Sequence, residues 1–230
     1  MGNGHAPEDV MSELYDDTHR SFQDHGGTRK LADRLEALAH AEFDANDRAF
    51  IESAAMFFLA TVDEHGRPTV SYKGGAPGFV RISAPGELVF PVYDGNGMFL
   101  SLGNIAAAGH VGMLFIDFVA PRRLRVQGRA QVLKSDPLRE HYPGAQYVVR
   151  VEAQQIFVNC GRYIHRQTGQ QLSPHVPDAQ GRQPFPEWKR LDMIAGSLNE
   201  RDRGKVEQAG GPIPIERYRG EDSPQTDTRV

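Results

Sequence analysis

The chain has 230 residues and a mass of 25.5 kDa, room for one domain with extensions or two small ones, able to bury about 70% of its unfolded surface. A net charge of −4 and a pI near 6.1 give no global reason to expect nucleic acid or an anionic membrane as partner. Cys160 is the only cysteine, which excludes an internal disulfide and a cysteine zinc cage, and no apolar run approaches the roughly 20 residues that cross a bilayer.

The opening MGNGHAPEDV has neither the basic head nor the apolar stretch of a secretory signal, so the cytoplasm is the expected compartment. Residues 1–10 are expected to lack order, and Met11–Gly27 to hold a short helix and a loop. The spacing of Leu31, Leu35 and Leu38 predicts a helix over Thr28–Phe43 with Thr28 as N-cap. Asp44–Ser53 reads as a second helix with Phe50 and Ile51 turned inward. Both helices are expected to form a lid over the strands downstream.

The period then changes. Ala55–Val62 and Pro68–Lys73, joined by Asp63-Glu64-His65-Gly66, predict a β-hairpin. After the glycine-rich Gly74–Gly78, Phe79–Ser83 and Glu87–Tyr93 predict a second one. Asp94–Gly97 is a tight loop, and Met98–Ala108 is helix-compatible with Met98, Leu102 and Ile105 on one side. His110–Phe118, Leu124–Leu133 and Tyr147–Val158 read as strands, with a helical turn starting at Asp136-Pro137. Six or seven strands at short, turn-marked spacing favour a β-barrel with flanking helices. No βαβ rhythm and no Walker-type loop occur. Beyond Cys160 the chain is irregular, then Glu187–Leu198 predicts a helix around Trp188, Leu191 and Ile194. The segments are thus 1–43 (N-terminal helices), 44–166 (barrel), 167–198 (loop and helix) and 199–230, a polar tail expected to be disordered or to embrace a partner subunit.

Several polar residues stand at the seams of the barrel. Arg123 and Arg125 alternate with Leu124 and Val126, so the arginines face outward if the aliphatics fill the barrel. They would offer guanidinium forks to an anion, or simply form a solvated face. Asn96 sits where a helix begins, a place that suits both capping and anion binding, with Ser101 and Asn104 following on that helix. Lys73 is a rim charge or a phosphate partner. Asn159 and Arg162 have no packing explanation in the sequence. The set suits an anion carrying a flat ring. No carboxylate pair, Ser/His/Asp set or metal-spaced histidine cluster stands out.

FFLATVDEHGRPTVSYKGGAPGFVRI, GN-x-x-F-x-SLGN, GHVGMLFIDF and RLRVQGRA, in that order, resemble the pyridoxamine 5′-phosphate oxidase-like family over about residues 45–166; VNCGRYIH resembles a signature of one bacterial subgroup. The resemblance implies a split β-barrel homodimer that holds FMN in two clefts at the subunit interface, and a small-molecule redox substrate. It lays Phe79, Val80, Arg81, Ile82 and Ser83 along the flavin ring. Pro91–Asn96, Val92 included, would meet the phosphate and ribityl chain, and Arg123 would offer a side chain to the flavin. Gly97 stands where relatives often carry a basic residue, leaving Arg81, Lys73 or Arg123 to supply the charge. The tryptophan- and arginine-bearing segment that grips pyridoxal phosphate in the authentic oxidases is not found, so substrate identity does not transfer. The expected activity is FMN-dependent oxidoreduction. The alternative is a non-catalytic flavin-, deazaflavin- or haem-binding barrel, for which His19, His25, His110 and His165 are the conceivable haem ligands.

Overall fold

A computed structural model describes residues 14–169 and 172–218, and the chain divides into two compact units at 171/172. The first unit holds α1 (Asp17–His25), α2 (Arg29–Glu36) and α3 (Ala45–Ser53), then β1 (Met56–Val62), β2 (Pro68–Gly74), β3 (Arg81–Ala84) and β4 (Glu87–Val92). It continues with α4 (Leu100–Ala108), β5 (His110–Asp117), β6 (Arg122–Leu133), a 3-10 turn at Pro137–His141 and β7 (Tyr147–Asn159). The strands form one antiparallel sheet in the order β2-β1-β5-β6-β7-β4-β3.

That sheet is curled. In a flat sheet β1 and β4 would stand four strand spacings apart, about 19 Å. Yet the Phe57 ring of β1 lies 5.1 Å from Phe90 of β4, 5.1 Å from Phe115 of β5 and 5.9 Å from Phe79. Phe57, Phe90 and Phe115 are fully buried, with Leu59, Leu88, Leu124, Val126 and Ile156 around them. Burial of these faces drives the curl. The two edges, β2 and β3, make no ladder with each other, so the ring stays open: a split barrel of seven strands.

Local chemistry sets the element ends. Asp44 caps α3 in a reciprocal box with Asp47, and Phe50 and Ile51 of α3 are buried as the sequence predicts. In β6 the alternation holds: Leu124, Val126 and Ala130 are buried while Arg125 and Arg129 are exposed.

Three expectations about the N-terminal helices need correction. The first helix region ends at Glu36 rather than Phe43, because the chain turns extended and His40 pairs with Ile156 of β7 (His40 N to Ile156 O 3.1 Å, Ile156 N to His40 O 2.7 Å). Thr28 makes no cap; its hydroxyl donates to Gln23 O. Nor do its leucines pack as a lid: Leu31, Leu35 and Leu38 are 59%, 50% and 58% exposed. Arg20 of α1 binds Asp33 and Glu36 instead, so ion pairs join the two helices.

In the second unit, the helix predicted over Glu187–Leu198 is a 3-10 turn (Glu187–Arg190) followed by α5 (Asp192–Ala195). Leu191 between them is pulled extended by parallel pairing with Ile213 (Ile213 N to Arg190 O 2.7 Å). The tail expected to be disordered holds α6 (Glu200–Gln208), capped by Asn199 and anchored by a buried Lys189–Asp202 pair at 3.0 Å. The disorder expected for residues 1–10, and the last residues of the tail from 219 on, lie outside the described residues.

The join between α2 and the barrel is a titratable clamp. His40 Nε2 donates to Asp47 Oδ2 at 2.7 Å and Nδ1 donates to Leu38 O at 3.2 Å. Two acceptors require both ring nitrogens to carry protons. Partial burial opposes that charge, but the bonds to Asp47 and Leu38, helped by Asp44 and Asp47 nearby, outweigh it and hold the His40 pKa above its ordinary value. The stabilisation is therefore complete below the ordinary imidazole value and is lost as pH rises through the raised one. With the ring part-exposed, it amounts to no more than about 1 kcal/mol. Urea midpoints should fall as pH rises from below to above the ordinary imidazole value of about 6.5, and His40→Gln should remove that slope. An unchanged slope in the variant would refute the clamp.

Candidate functional site

The sequence-predicted residues fall into three groups. The first lies at the edge strand β2, beneath α4. Period two places Ser71 and Lys73 on the inner face, opposite Leu59 and Phe57 of β1. The α4 helix lands on that face because Asn104, itself buried, donates Nδ2 to Thr61 Oγ1 at 3.0 Å. Asn104 is thus the anchor of the helix. Its landing brings Ser101 Oγ to 3.1 Å from Ser71 Oγ and 3.3 Å from Lys73 Nζ.

Lys73 is half-buried, burial pushes its pKa down, and among the described residues no carboxylate pairs with it. The first turn of α4 receives no side-chain cap, so its leading N–H groups stay available. The helix begins at Leu100, later than expected, since Gly97 (φ 77°) and Phe99 (φ 48°) are left-handed. Asn96 closes the preceding turn by accepting from Met98 N at 3.0 Å. An ammonium, two hydroxyls and free N–H groups make a cradle that an anion completes. Ser71 was missed in the sequence; its place two residues from Lys73 in an alternating strand was the available signal.

The second group sits where β6 begins and β7 ends, on the outer face. Arg123 lies opposite Asn159, and Arg125 opposite Phe157. Gly161 lets the chain pass against the Pro121 carbonyl, a space that a Cβ would fill, and so keeps the end of β7 beside the start of β6. Arg122 stacks on Phe50 at 4.1 Å, while Arg162 is exposed. Arg123 Nε and Asn159 Oδ1 are shielded from solvent without a hydrogen-bond partner among the described residues.

The third group is at the other edge, β3. Val80 and Ile82 are core side chains, buried to 0% and 7%, and the Ile82 backbone is engaged as well, its N–H donating to Glu52 Oε1 at 3.1 Å and its carbonyl accepting from Arg48 at 3.2 Å. Arg81 donates to Gly78 O and lies over the Tyr142 ring at 5.0 Å; burial pushes that phenol up to about 12. Ser83 is bonded to Glu87 (2.6 Å), and Val92 pairs with Tyr147.

The curled, open antiparallel sheet, with a half-buried ammonium at one edge and an unsatisfied polar pair on its outer face, defines a protein of the split-barrel class. The chain belongs to the pyridoxamine 5′-phosphate oxidase family, whose model matches residues 43–174. No curated protein matches it. Similar solved structures include HupZ of Group A Streptococcus (18% identity, 50% of this chain and 93% of that one, TM-score 0.43). The haem storage protein HutZ of Vibrio cholerae is 17% identical over 51% of this chain and 94% of that one, with a TM-score of 0.39. An FMN-binding protein of Syntrophomonas wolfei is 11% identical over 62% and 95%, with a TM-score of 0.38. No helix among the described residues is long and apolar enough to cross a membrane.

Proposed function

We propose that the protein is an FMN-dependent oxidoreductase acting on a small molecule, and that it works as a homodimer with the cofactor at the subunit interface. The observation that carries this reading is Lys73, a half-buried ammonium without a counter-charge among the described residues, set beside Ser71, Ser101 and the uncapped start of α4. These groups fit a phosphate even though Gly97 is not basic. FMN, when bound, supplies hydride chemistry at its ring N5. The chain's own residues bind and orient it: the Lys73 edge holds the phosphate, and the Arg123 guanidinium favours negative charge at the pyrimidine end.

The directions in which these groups point support a dimer. Lys73 shares the inner face with Phe57, whereas Arg123 shares the outer face with Ile116. One ligand reaches both only with a second copy supplying one of them. The outer face is suited to that contact, since Val70 and Tyr72 are 67% and 62% exposed there, next to Phe58 and Leu114.

The test is a visible spectrum of the purified protein, followed by titration with FMN and with riboflavin, which lacks the phosphate. Lys73→Met should weaken FMN by about 1.5–3 kcal/mol, roughly ten- to a hundredfold, and leave riboflavin unchanged. Equal loss of both ligands would remove Lys73 from the phosphate site. A Soret band, or no response to FMN, would overturn the cofactor assignment, and a monomer by sedimentation in the presence of FMN would overturn the interface.

A further inference from the structure

We infer that the cleft bordered by β4, β7 and the far half of β6 is a binding site for a basic α-amino acid, and that Glu152, Arg129 and Glu42 read its three charges. The cleft has a volume of about 660 Å³, within the range of small-molecule sites. Arg129 stands six residues along β6 from Arg123, about 20 Å away, so the site is separate from the cofactor reading and does not rest on it. The space exists because Ala84, Gly86, Ala130 and Ala153 border it with little or no side chain. Ala41 and Glu42 form one wall, which the backbone holds in place: Phe43 N donates to Pro85 O at 2.7 Å, and His40 is bridged to Ile156.

The charges left over in the cleft restrict what fills it. In the ladders Glu152 stands directly opposite Arg129 on one side and Glu87 on the other. Glu87 is neutralised by Arg150 at 2.8 Å and accepts from the Ser83 hydroxyl at 2.6 Å. Arg129 is the cross-strand partner that Glu152 would be expected to take, yet it turns away. Its Nη1 donates to His110 Nε2 at 3.0 Å and its Nη2 to Ala108 O at 3.3 Å. Opposite charges thus lie side by side on neighbouring strands without pairing. Glu152 and Glu42 make no hydrogen bond or ion pair among the described residues, and Arg129 meets no carboxylate there. Glu87 opposite Glu152 adds a like-charge contact that a cation in the cleft relieves.

The unpaired set is two carboxylates and one guanidinium, and its complement carries two cations and one anion. Arg129 and Glu152 are direct neighbours, with Cβ atoms about 5 Å apart. The ligand's anion and one of its cations are therefore neighbours too, as the carboxylate and ammonium of an α-amino acid are. Glu42, on the wall, takes the second cation at the end of the side chain. Arginine, lysine and ornithine have this pattern. A phosphate or dicarboxylate would meet two like charges, and a diamine would leave Arg129 unmatched.

The experiment is isothermal titration calorimetry of the full chain with L-arginine and three analogues that each lack one charge. Nα-acetyl-L-arginine lacks the ammonium, agmatine the carboxylate and L-citrulline the guanidinium. The wild type should bind L-arginine about tenfold or more tightly than each analogue. Glu152→Gln should bind L-arginine and Nα-acetyl-L-arginine alike, and Glu42→Gln should bind L-arginine and L-citrulline alike. Neither carboxylate holds a contact within the described chain, so both variants should keep the wild-type urea midpoint. No binding of L-arginine at millimolar concentration overturns the inference. So does equal affinity of the wild type for all four ligands, or a preference that persists in the variant expected to lose it.

Discussion

Asp136→Ala is expected to destabilise the barrel by about 3–5 kcal/mol, the range for breaking a buried ion pair from one side. The Asp136 side chain is wholly buried and takes a two-pronged contact from Arg150, with Nε at 2.6 Å and a terminal nitrogen at 3.1 Å. It also caps the 3-10 turn by accepting from Leu138 N at 2.8 Å. Removing it strips the cap and leaves Arg150, 22% exposed, with Glu87 alone. The guanidinium beside Asp136 holds its carboxyl below the usual carboxylate range. Its stabilisation is therefore present above the ordinary value and is lost as pH falls through the depressed one. Urea unfolding checks both statements: the variant should show a lower midpoint near neutral pH and a shallower acid-side decline. Asp136→Ala/Arg150→Met should recover much of the loss, since the uncompensated charge goes with the arginine. A double variant no more stable than the single one would show that the cap and packing, not the charge, carry the effect.

Sequence alternation reached the sheet but not the site as a whole. RLRVQGRA alone separates the aliphatic from the arginine face, and the barrel keeps that separation. PTVSYK likewise puts Ser71 and Lys73 on one face, but what gives those residues a purpose is Ser101, delivered by a helix whose landing depends on a buried Asn104–Thr61 bond 43 positions apart. Nothing local encodes that contact. The pairing of Arg123 with Asn159 is equally non-local. The leucines of α2 illustrate the opposite error: their spacing identified a helix, yet the Arg20 ion pairs, not leucine burial, hold it. In the tail, few apolar residues suggested disorder, whereas Lys189–Asp202 and Val206 secure α6. Composition is blind to an ion pair that folding buries.

Gly128→Ala should destabilise by about 2–4 kcal/mol, an overpacking effect against backbone that has little freedom to yield. A Cβ at this position meets the Glu152 carbonyl oxygen directly, and Ala153 Cα at 3.2 Å. The close approach arises from a bulge: the β6–β7 register steps from Gln127↔Gln155 to Gly128↔Ala153, leaving Gln154 as the extra residue. That extra residue lets Val149, Val151 and Ala153 on one side of the bulge, and Ile156 on the other, all point into the core. It also sets the register in which Asn159 meets Arg123. Pushing the strands apart at Gly128 therefore disturbs both the core and the outer-face pair, because a one-residue slip turns every side chain to the other face. Gly103→Ala in α4 is the matched control. Its added methyl meets nothing within 4 Å, so it should stabilise by about 0.5–1 kcal/mol. If Gly128→Ala unfolds at the wild-type urea midpoint, the bulge tolerates a methyl, and the register that brings Asn159 to Arg123 does not depend on glycine there.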